Sequence, residues 1–188
     1  MRLFTGLPIP GHVVSWLDAA VRELKPAARL NWSPPQNFHI TVRFIGEWPD
    51  GRFAEIHSAL ARCPKPNPFM VGIFRFGFFP SPHRPRTFFA GVHADPELAA
   101  LAKSVDEALD DAGSPSEKRA YSPHVTLARI KDENIVALRE RIAAMSDSDT
   151  EFGSFEATEL CVYRSKTGPG GSVYSILASY PLGEGIAG

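Results

Sequence analysis

The hydrophobic and polar positions of the chain fall into short runs whose period switches between two and nearly four. Met1–Leu7 reads as a strand closed by Pro8-Ile9-Pro10-Gly11. In His12–Lys25 the apolar residues Val13, Leu17, Ala20, Val21 and Leu24 recur near a 3.6 period, which predicts a helix stopped by Pro26. Leu30–Ser33 is a short strand candidate ahead of the turn Pro34-Pro35-Gln36-Asn37. Phe38–Ile45 alternates, with Phe38, Ile40, Val42 and Phe44 on one face and His39, Thr41 and Arg43 on the other. Phe53–Ala61 predicts a second helix. Phe69–Phe79 and Thr87–Val92 predict strands around the rigid, basic loop Pro80-Ser81-Pro82-His83-Arg84-Pro85. Pro96–Leu109 carries a helical stripe of Leu98, Leu101, Val105 and Leu109. His124–Ile130 alternates again, with His124 and Thr126 on one face and Val125 and Leu127 on the other. Glu133–Ala144 predicts a fourth helix, and Phe152–Arg164 and Ser172–Pro181 predict two strands around the Gly-rich turn Lys166–Gly171. The end of the chain, 184–188, reads as a flexible tail.

The predicted order is β-α-β-α-β-β-α-β-α-β-β, and its two halves are alike in organisation. Each runs through a helix, a His-x-Thr strand, another helix and two strands. The pattern predicts an α+β fold: residues 1–183 as a single domain of two pseudo-symmetric lobes, with antiparallel sheets and outer helices around a central cleft. Long aromatic strands that follow each later helix as hairpins argue against an all-parallel, doubly wound sheet.

Composition narrows the function classes. With 20 Lys and Arg against 21 Asp and Glu, the formal charge is -1, which speaks against broad coating of nucleic acid and leaves room for a local basic cleft. Of the cations 14 are Arg, the residue that grips phosphate bidentately. Cys63 and Cys161 form no CxxC or metal spacing, which fits a reduced compartment. Pro8, Pro10 and Gly11 break the apolar start, so it does not read as a signal peptide, and no window is apolar enough to span a membrane. A cytoplasmic protein is the expectation.

The segments His39-Ile40-Thr41-Val42-Arg43-Phe44 and His124-Val125-Thr126-Leu127-Ala128-Arg129 carry the candidate chemistry. In each, His and Thr stand two apart on a strand and point the same way, about 6–7 Å apart at Cα. A single such pair is a common accident of composition. Two pairs, 85 positions apart, each after a Pro-containing turn and each followed by Arg, suggest one shared cleft. In-line attack on a phosphodiester needs a proton removed on one side of phosphorus and delivered on the other. Two imidazoles can divide those roles at neutral pH, and two hydroxyls can donate to the non-bridging oxygens. A zinc site would need a third ligand, and none stands at ligand spacing beside either histidine, so no metal and no cofactor are expected.

These residues also carry a family likeness. The chain resembles the two-histidine (2H) phosphoesterase superfamily, and within it the RNA 2',3'-cyclic phosphodiesterases long called 2'-5' RNA ligases. The likeness is densest in Asn37–Gly46 and Ser122–Arg129, with support from Phe79-Pro80-Ser81, the strand entry at Arg86 and Tyr163-Arg164-Ser165. It implies a two-lobed fold, often monomeric, that opens a terminal 2',3'-cyclic phosphate on RNA to a 2'-phosphomonoester. It also implies joining of tRNA halves through a 2'-5' linkage by the reverse chemistry. On this likeness His39 is the proton donor to the leaving 3'-oxygen, His124 is the proton acceptor that activates water, and Thr41 and Thr126 hold the phosphate. Sequence physics alone leaves open which histidine is acid and which base.

Other residues are secondary candidates. A regular strand puts Arg43 on the His39 face and Arg129 on the face away from His124, unless the second strand ends or bulges there; the likeness favours both near the cleft, against a bland reading as salt-bridge partners. Arg86, with His83 and Arg84, is placed to meet an RNA backbone or to sit in an ordinary solvated turn. Tyr121, Phe4 and Trp32 are stacking candidates, whereas Phe88-Phe89 reads as core strand. Two other readings stand beside the RNA-end hydrolase: a phosphodiesterase for small cyclic nucleotides or nucleotide conjugates, and a non-catalytic RNA-end binding module.

Overall fold

A computed structural model describes residues 1–117, 119–131, 134–145, 151–168 and 171–183. Nine strands, β1 (Arg2–Pro8), β2 (Asn31–Trp32), β3 (His39–Glu47), β4 (Phe69–Phe79), β5 (Thr87–Ala94), β6 (His124–Arg129), β7 (Glu151–Ala157), β8 (Glu159–Gly168) and β9 (Gly171–Pro181), join four helices, α1 (Gly11–Leu24), α2 (Phe53–Arg62), α3 (Pro96–Asp111) and α4 (Val136–Met145). The predicted start of the fourth helix at Glu133, the centre of the Gly-rich turn and the tail 184–188 lie outside the described residues. Among the described residues no helix is long and apolar enough to cross a membrane.

The strands form one curved antiparallel sheet in the order β7-β4-β5-β6-β3-β1-β8-β9, with β2 added beside β6. Its centre is a narrow seam: β3 and β6 pair only at Ile40 and Val125. β7, β4, β5 and β6, with the short β2, lie on one side of that seam and β3, β1, β8 and β9 on the other, and each side presents one His-x-Thr segment at the seam. The halves of the sheet are not the halves of the sequence. β4, β5, β6 and β7 come from the middle of the chain, whereas β3 and β1 are completed by β8 and β9 from its end.

One expectation needs correction here. Phe152–Arg164 reads as one strand in the hydrophobic pattern, but the structure breaks it at Thr158 into β7, which pairs with β4, and β8, which pairs with β1. Those strands lie at opposite ends of the sheet order. A single residue spans at most about 7 Å between its two neighbours, so the two ends of the sheet must converge there, and the sheet curls.

The helices cover one face. Val13, Leu17, Val21 and Leu24 of α1 and Leu98, Leu101, Val105 and Leu109 of α3 are fully or nearly fully buried in one core with Leu3, Leu7, Ile40, Val42, Val125 and Leu127 of the sheet. A burial of this kind stabilises by roughly 2 kcal/mol per large apolar side chain. Because strand side chains alternate, burying Ile40 and Val125 turns His39, Thr41, His124 and Thr126 to the other, open face. A second, small cluster of Phe4, Cys161 and Tyr163, joined by Tyr174, lies apart from that core. Both cysteines are free and buried.

Candidate active site

Extending the Ile40–Val125 register by one residue sets His39 opposite Thr126 and Thr41 opposite His124. The four side chains therefore form a crossed square on the open face. In regular antiparallel geometry the two histidine Cα atoms stand roughly 8 Å apart on its diagonal.

Each imidazole is fixed in the same way. His39 Nδ1 donates to the carbonyl of Asn37 at 2.7 Å, and His124 Nδ1 donates to the carbonyl of Ser122 at 2.8 Å. A carbonyl can only accept, so the neutral ring carries its proton on Nδ1 and leaves Nε2 as the reactive nitrogen in both cases. His39 Nε2 lies 3.0 Å from Thr41 Oγ1, whose hydroxyl donates to it.

Both rings sit in aromatic surroundings. Phe4, Tyr174 and Tyr163 have centroids 4.7, 5.2 and 5.6 Å from that of His39, and Phe79 and Phe89 stand 4.9 and 5.5 Å from His124. Burial drops His39 from 6.5 to about 4; the Asn37 carbonyl works against the shift and the charge of His124 adds to it. Burial also holds His124 below 6.5, opposed by the Ser122 carbonyl and assisted by Arg129. Burial alone pushes the Tyr121 phenol well above its ordinary value. Space for the His39 ring is made by Gly6, where a Cβ would stand 2.8 Å from the Ile40 carbonyl oxygen and 3.4 Å from His39 Cδ2.

The arginines exchange the positions that a regular period assigns them. Between Thr5 and Gly6 the β1–β3 register skips Val42, and between Phe88 and Phe89 the β5–β6 register skips Leu127. Each skip is a β-bulge that puts two successive residues, Val42-Arg43 and Leu127-Ala128, into the interior. Arg43 is therefore not a substrate contact. Its guanidinium is buried, ion-paired to Asp106, and donates to the carbonyls of Phe44, Ser114 and Pro115. The bulge that hides Arg43 turns Phe44 outward, and its twin turns Arg129 onto the His124 face. Arg129 is exposed, donates to Thr87 Oγ1 at 2.7 Å, and depresses the His124 pKa.

Tyr121 also departs from expectation. Its hydroxyl donates to the Thr41 carbonyl at 3.1 Å, so it straps the segment before His124 to the strand of His39 and has no hydrogen left for a phosphate. Arg86 is exposed at the strand end beyond Thr87, and its guanidinium donates to the Lys131 carbonyl. His83 and Arg84 are exposed in the preceding loop. Of the stacking candidates, Phe4 reaches the site, whereas Trp32 packs against Phe88 and donates Nε1–H to the Ala28 carbonyl. Phe88 is core, as expected, but Phe89 faces His124. Phe79 and Tyr163 stood in the sequence only as support for the family likeness, and Tyr174 and Gly6 gave no signal beyond strand spacing, although a glycine inside an apolar strand is a known mark of close approach.

A concavity of about 980 Å³ lies between α2 and α3 and is lined by Glu55, Arg62, Lys103 and Glu107 among others; neither histidine borders it. Among the described residues no group of three or more His, Cys, Asp and Glu is placed to hold a metal ion.

Known proteins share both the sequence and the fold. A family model described as the 2'-5' RNA ligase superfamily matches residues 10–169. The chain is 30% identical over 181 residues to an RNA 2',3'-cyclic phosphodiesterase of Methanocaldococcus jannaschii, covering 96% of this chain and 100% of the relative. It is 38% identical over 144 residues to an RNA 2',3'-cyclic phosphodiesterase of Aeropyrum pernix, covering 76% and 80%. The protein TT0787 of Thermus thermophilus superposes with a TM-score of 0.78 at 26% identity, over 97% of this chain and 98% of that one. E. coli LigT complexed with 3'-AMP shares the fold, with a TM-score of 0.78 at 22% identity and the same coverage. With paired histidines on one face and a family match over most of its length, the chain belongs to the 2'-5' RNA ligase superfamily of two-histidine phosphoesterases.

Proposed function

We propose that the chain hydrolyses RNA 2',3'-cyclic phosphate ends to 2'-phosphomonoesters, with His124 as base and His39 as acid. The observation that carries this reading is the matched pair of Nδ1–H bonds to backbone carbonyls, which leaves a reactive Nε2 on each side of one face. His124 Nε2 takes a proton from water as the water oxygen bonds to phosphorus. The P–O3' bond breaks, and O3' leaves with the proton from His39 Nε2. The 2'-oxygen keeps the phosphate. Thr41, Thr126 and Arg129 donate to the non-bridging oxygens as charge builds on them. Both protons are carried by imidazoles, so the step draws on no metal ion.

The surroundings of the two rings support this division of roles. The leaving oxygen belongs to the sugar, so the nucleoside lies on the side of the acid. On the His39 side Phe44, Phe4, Tyr163 and Ile176 occupy one cross-strand row, an apolar seat for ribose and base. On the His124 side the exposed guanidinium of Arg129, propped on the Thr87 hydroxyl, offers polar donors instead.

With the 5'-hydroxyl of a second RNA in the place of water, the same face forms a 2'-5' linkage, and tRNA halves are the proposed substrates of that kind. Both histidines come from one chain, which supports a monomeric enzyme, and two free buried thiols support a cytoplasmic one.

The test is turnover of an oligoribonucleotide ending in 2',3'-cyclic phosphate, with EDTA present, resolving 2'- from 3'-phosphate products. We expect the 2'-phosphate, and a loss of roughly 10²- to 10⁴-fold in kcat for His39→Ala and for His124→Ala. No turnover by the wild type overturns the enzyme reading, and full turnover by both variants overturns the site. Turnover of cyclic mononucleotides with none of the oligonucleotide would move the substrate to small cyclic nucleotides. The active form holds one proton on the histidine pair. Because His39 and His124 both lie below 6.5, kcat/KM of the free enzyme should fall as pH rises through a value under 6.5.

A further inference from the structure

The two histidines use the same backbone acceptor, the carbonyl two residues earlier, but that carbonyl is held in two different ways. Before His124 the connecting residue is Pro123, whose ring fixes the backbone between the Ser122 carbonyl and the imidazole. Before His39 the connecting residue is Phe38, which brings no such restraint. There backbone bonds from Asn37 N–H to the Pro34 carbonyl and from Phe38 N–H to the Pro35 carbonyl close the turn, and a side chain ties it to the sheet. Asn37 is buried, and its Nδ2 donates at 2.6 Å to the carbonyl of Ser172, which lies 135 positions later at the start of β9. The same residue's carbonyl receives the Nδ1–H of His39.

We propose that Asn37 is a positioning residue that selects the tautomer of His39, its side-chain amide clamping the turn Pro35–Asn37 to β9 so that its own carbonyl stays aimed at Nδ1. This rests on the role of His39 given above. The physical chain is short. The acceptor at Nδ1 keeps the proton there and Nε2 bare. The same carbonyl stabilises the imidazolium, since a ring protonated on Nε2 still donates from Nδ1, and this opposes the depression of the His39 pKa by burial. Loss of the clamp lets the turn move, the carbonyl drifts, and the neutral ring takes up the Nε2–H form. That form turns a hydrogen toward Thr41 Oγ1 and cannot accept a proton at the nitrogen that faces the reaction. The clamp also joins the last strand of the chain to the first catalytic motif. Tyr174, two residues after Ser172, stands edge-on to the His39 ring, so β9 fixes both the partner of the ring and its wall.

The test compares Asn37→Ala with the wild type, using protein labelled with ¹⁵N at the histidine rings. In the ligand-free wild type at pH 7, the His39 nitrogens should report the Nδ1–H form. In Asn37→Ala they should shift toward Nε2–H, with the His124 signals unchanged. On the oligonucleotide substrate kcat should fall roughly 10- to 100-fold, the size of effect expected from misplacing a reacting group by about 1 Å, with KM within about twofold. The acid limb of the kcat/KM profile should move to lower pH, because the carbonyl no longer supports the cation. A folded Asn37→Ala that keeps the Nδ1–H form and kcat within twofold overturns the proposal. If that variant does not fold, Asn37→Ser is read by the same criteria. The ring signals need no substrate, so they decide the tautomer question even if the wild type fails to turn over RNA.

Discussion

The His39 and His124 segments are built on one plan and furnished differently. Both enter after an acceptor carbonyl, both place Thr two residues on, and both bulge one residue later. Superposing the two registers sets Gly6 against Phe89, Phe4 against Thr87, Arg43 against Ala128 and Phe44 against Arg129. The backbone plan supplies what the two sides must share, an imidazole and a hydroxyl at matched positions. The substituted positions supply what must differ. One side is lined by apolar side chains, and the other carries an exposed guanidinium that donates to a buried threonine hydroxyl. A site that moves a proton off one oxygen and onto another needs this kind of symmetry, broken only in the residues around it.

The pairing of Arg43 with Ala128 gives the largest expected effect. Arg43→Met strips Asp106 and three carbonyls of their donor, and should cost about 3 kcal/mol of stability in urea unfolding. The folded variant should keep its kcat/KM within twofold. A tenfold loss of kcat/KM with unchanged stability would return Arg43 to the cleft and erase the distinction. The two histidines also differ in linkage. The unfolded ring binds its proton near pH 6.5 and the folded His39 only near 4, so the unfolded state gains protons first as pH falls. Stability is therefore full above 6.5 and is lost as pH drops toward 4, by roughly 3 kcal/mol for His39. His39→Asn should flatten that part of the curve more than His124→Asn does; equal flattening would contradict the deeper burial of His39.

Arg129→Met is the counterpart of Arg43→Met, with the consequences exchanged. Stability should change by about 0.5 kcal/mol or less, while kcat/KM should fall about tenfold, as for loss of a donor to the charge that builds on phosphate. The smallest effect is expected at Phe44. Phe44→Ala should raise KM for the oligonucleotide about fivefold, in the range of one lost base–aromatic stack, with little change in kcat. A matching rise for Thr87→Ala would mean that the nucleoside does not favour the His39 side.

Much of this was legible in the chain. Alternation alone places His39 with Thr41 and His124 with Thr126, because a buried Ile40 and Val125 leave those residues nowhere else to point. The arginines were not legible, and for one reason. A bulge adds a residue without changing composition, so Val42-Arg43 and Leu127-Ala128 look like ordinary steps of a period-two pattern. The period therefore put Arg43 on the His39 face and Arg129 away from the His124 face, whereas the structure buries Arg43 and exposes Arg129. Asn37 stood in the recognisable motif, but its bond to Ser172 is a contact across 135 positions that no local pattern carries. The run Phe152–Arg164 shows the same limit, since nothing in its hydrophobicity marks Thr158 as the point where the chain changes sides.

That crossing at Thr158 has a consequence for how the molecule is made. Synthesis delivers His39 and His124 before the last strands, and the strands on the His124 side are complete once β7 has emerged. The strands on the His39 side still lack β8 and β9, and with them Tyr163, Tyr174 and the carbonyl that holds Asn37. A nascent chain can thus carry both histidines and half a finished sheet while one imidazole has no wall and no fixed partner. The second half of the site closes with the last strand, so a chain cut short between β7 and β9 should present an RNA end with only one histidine in its final setting.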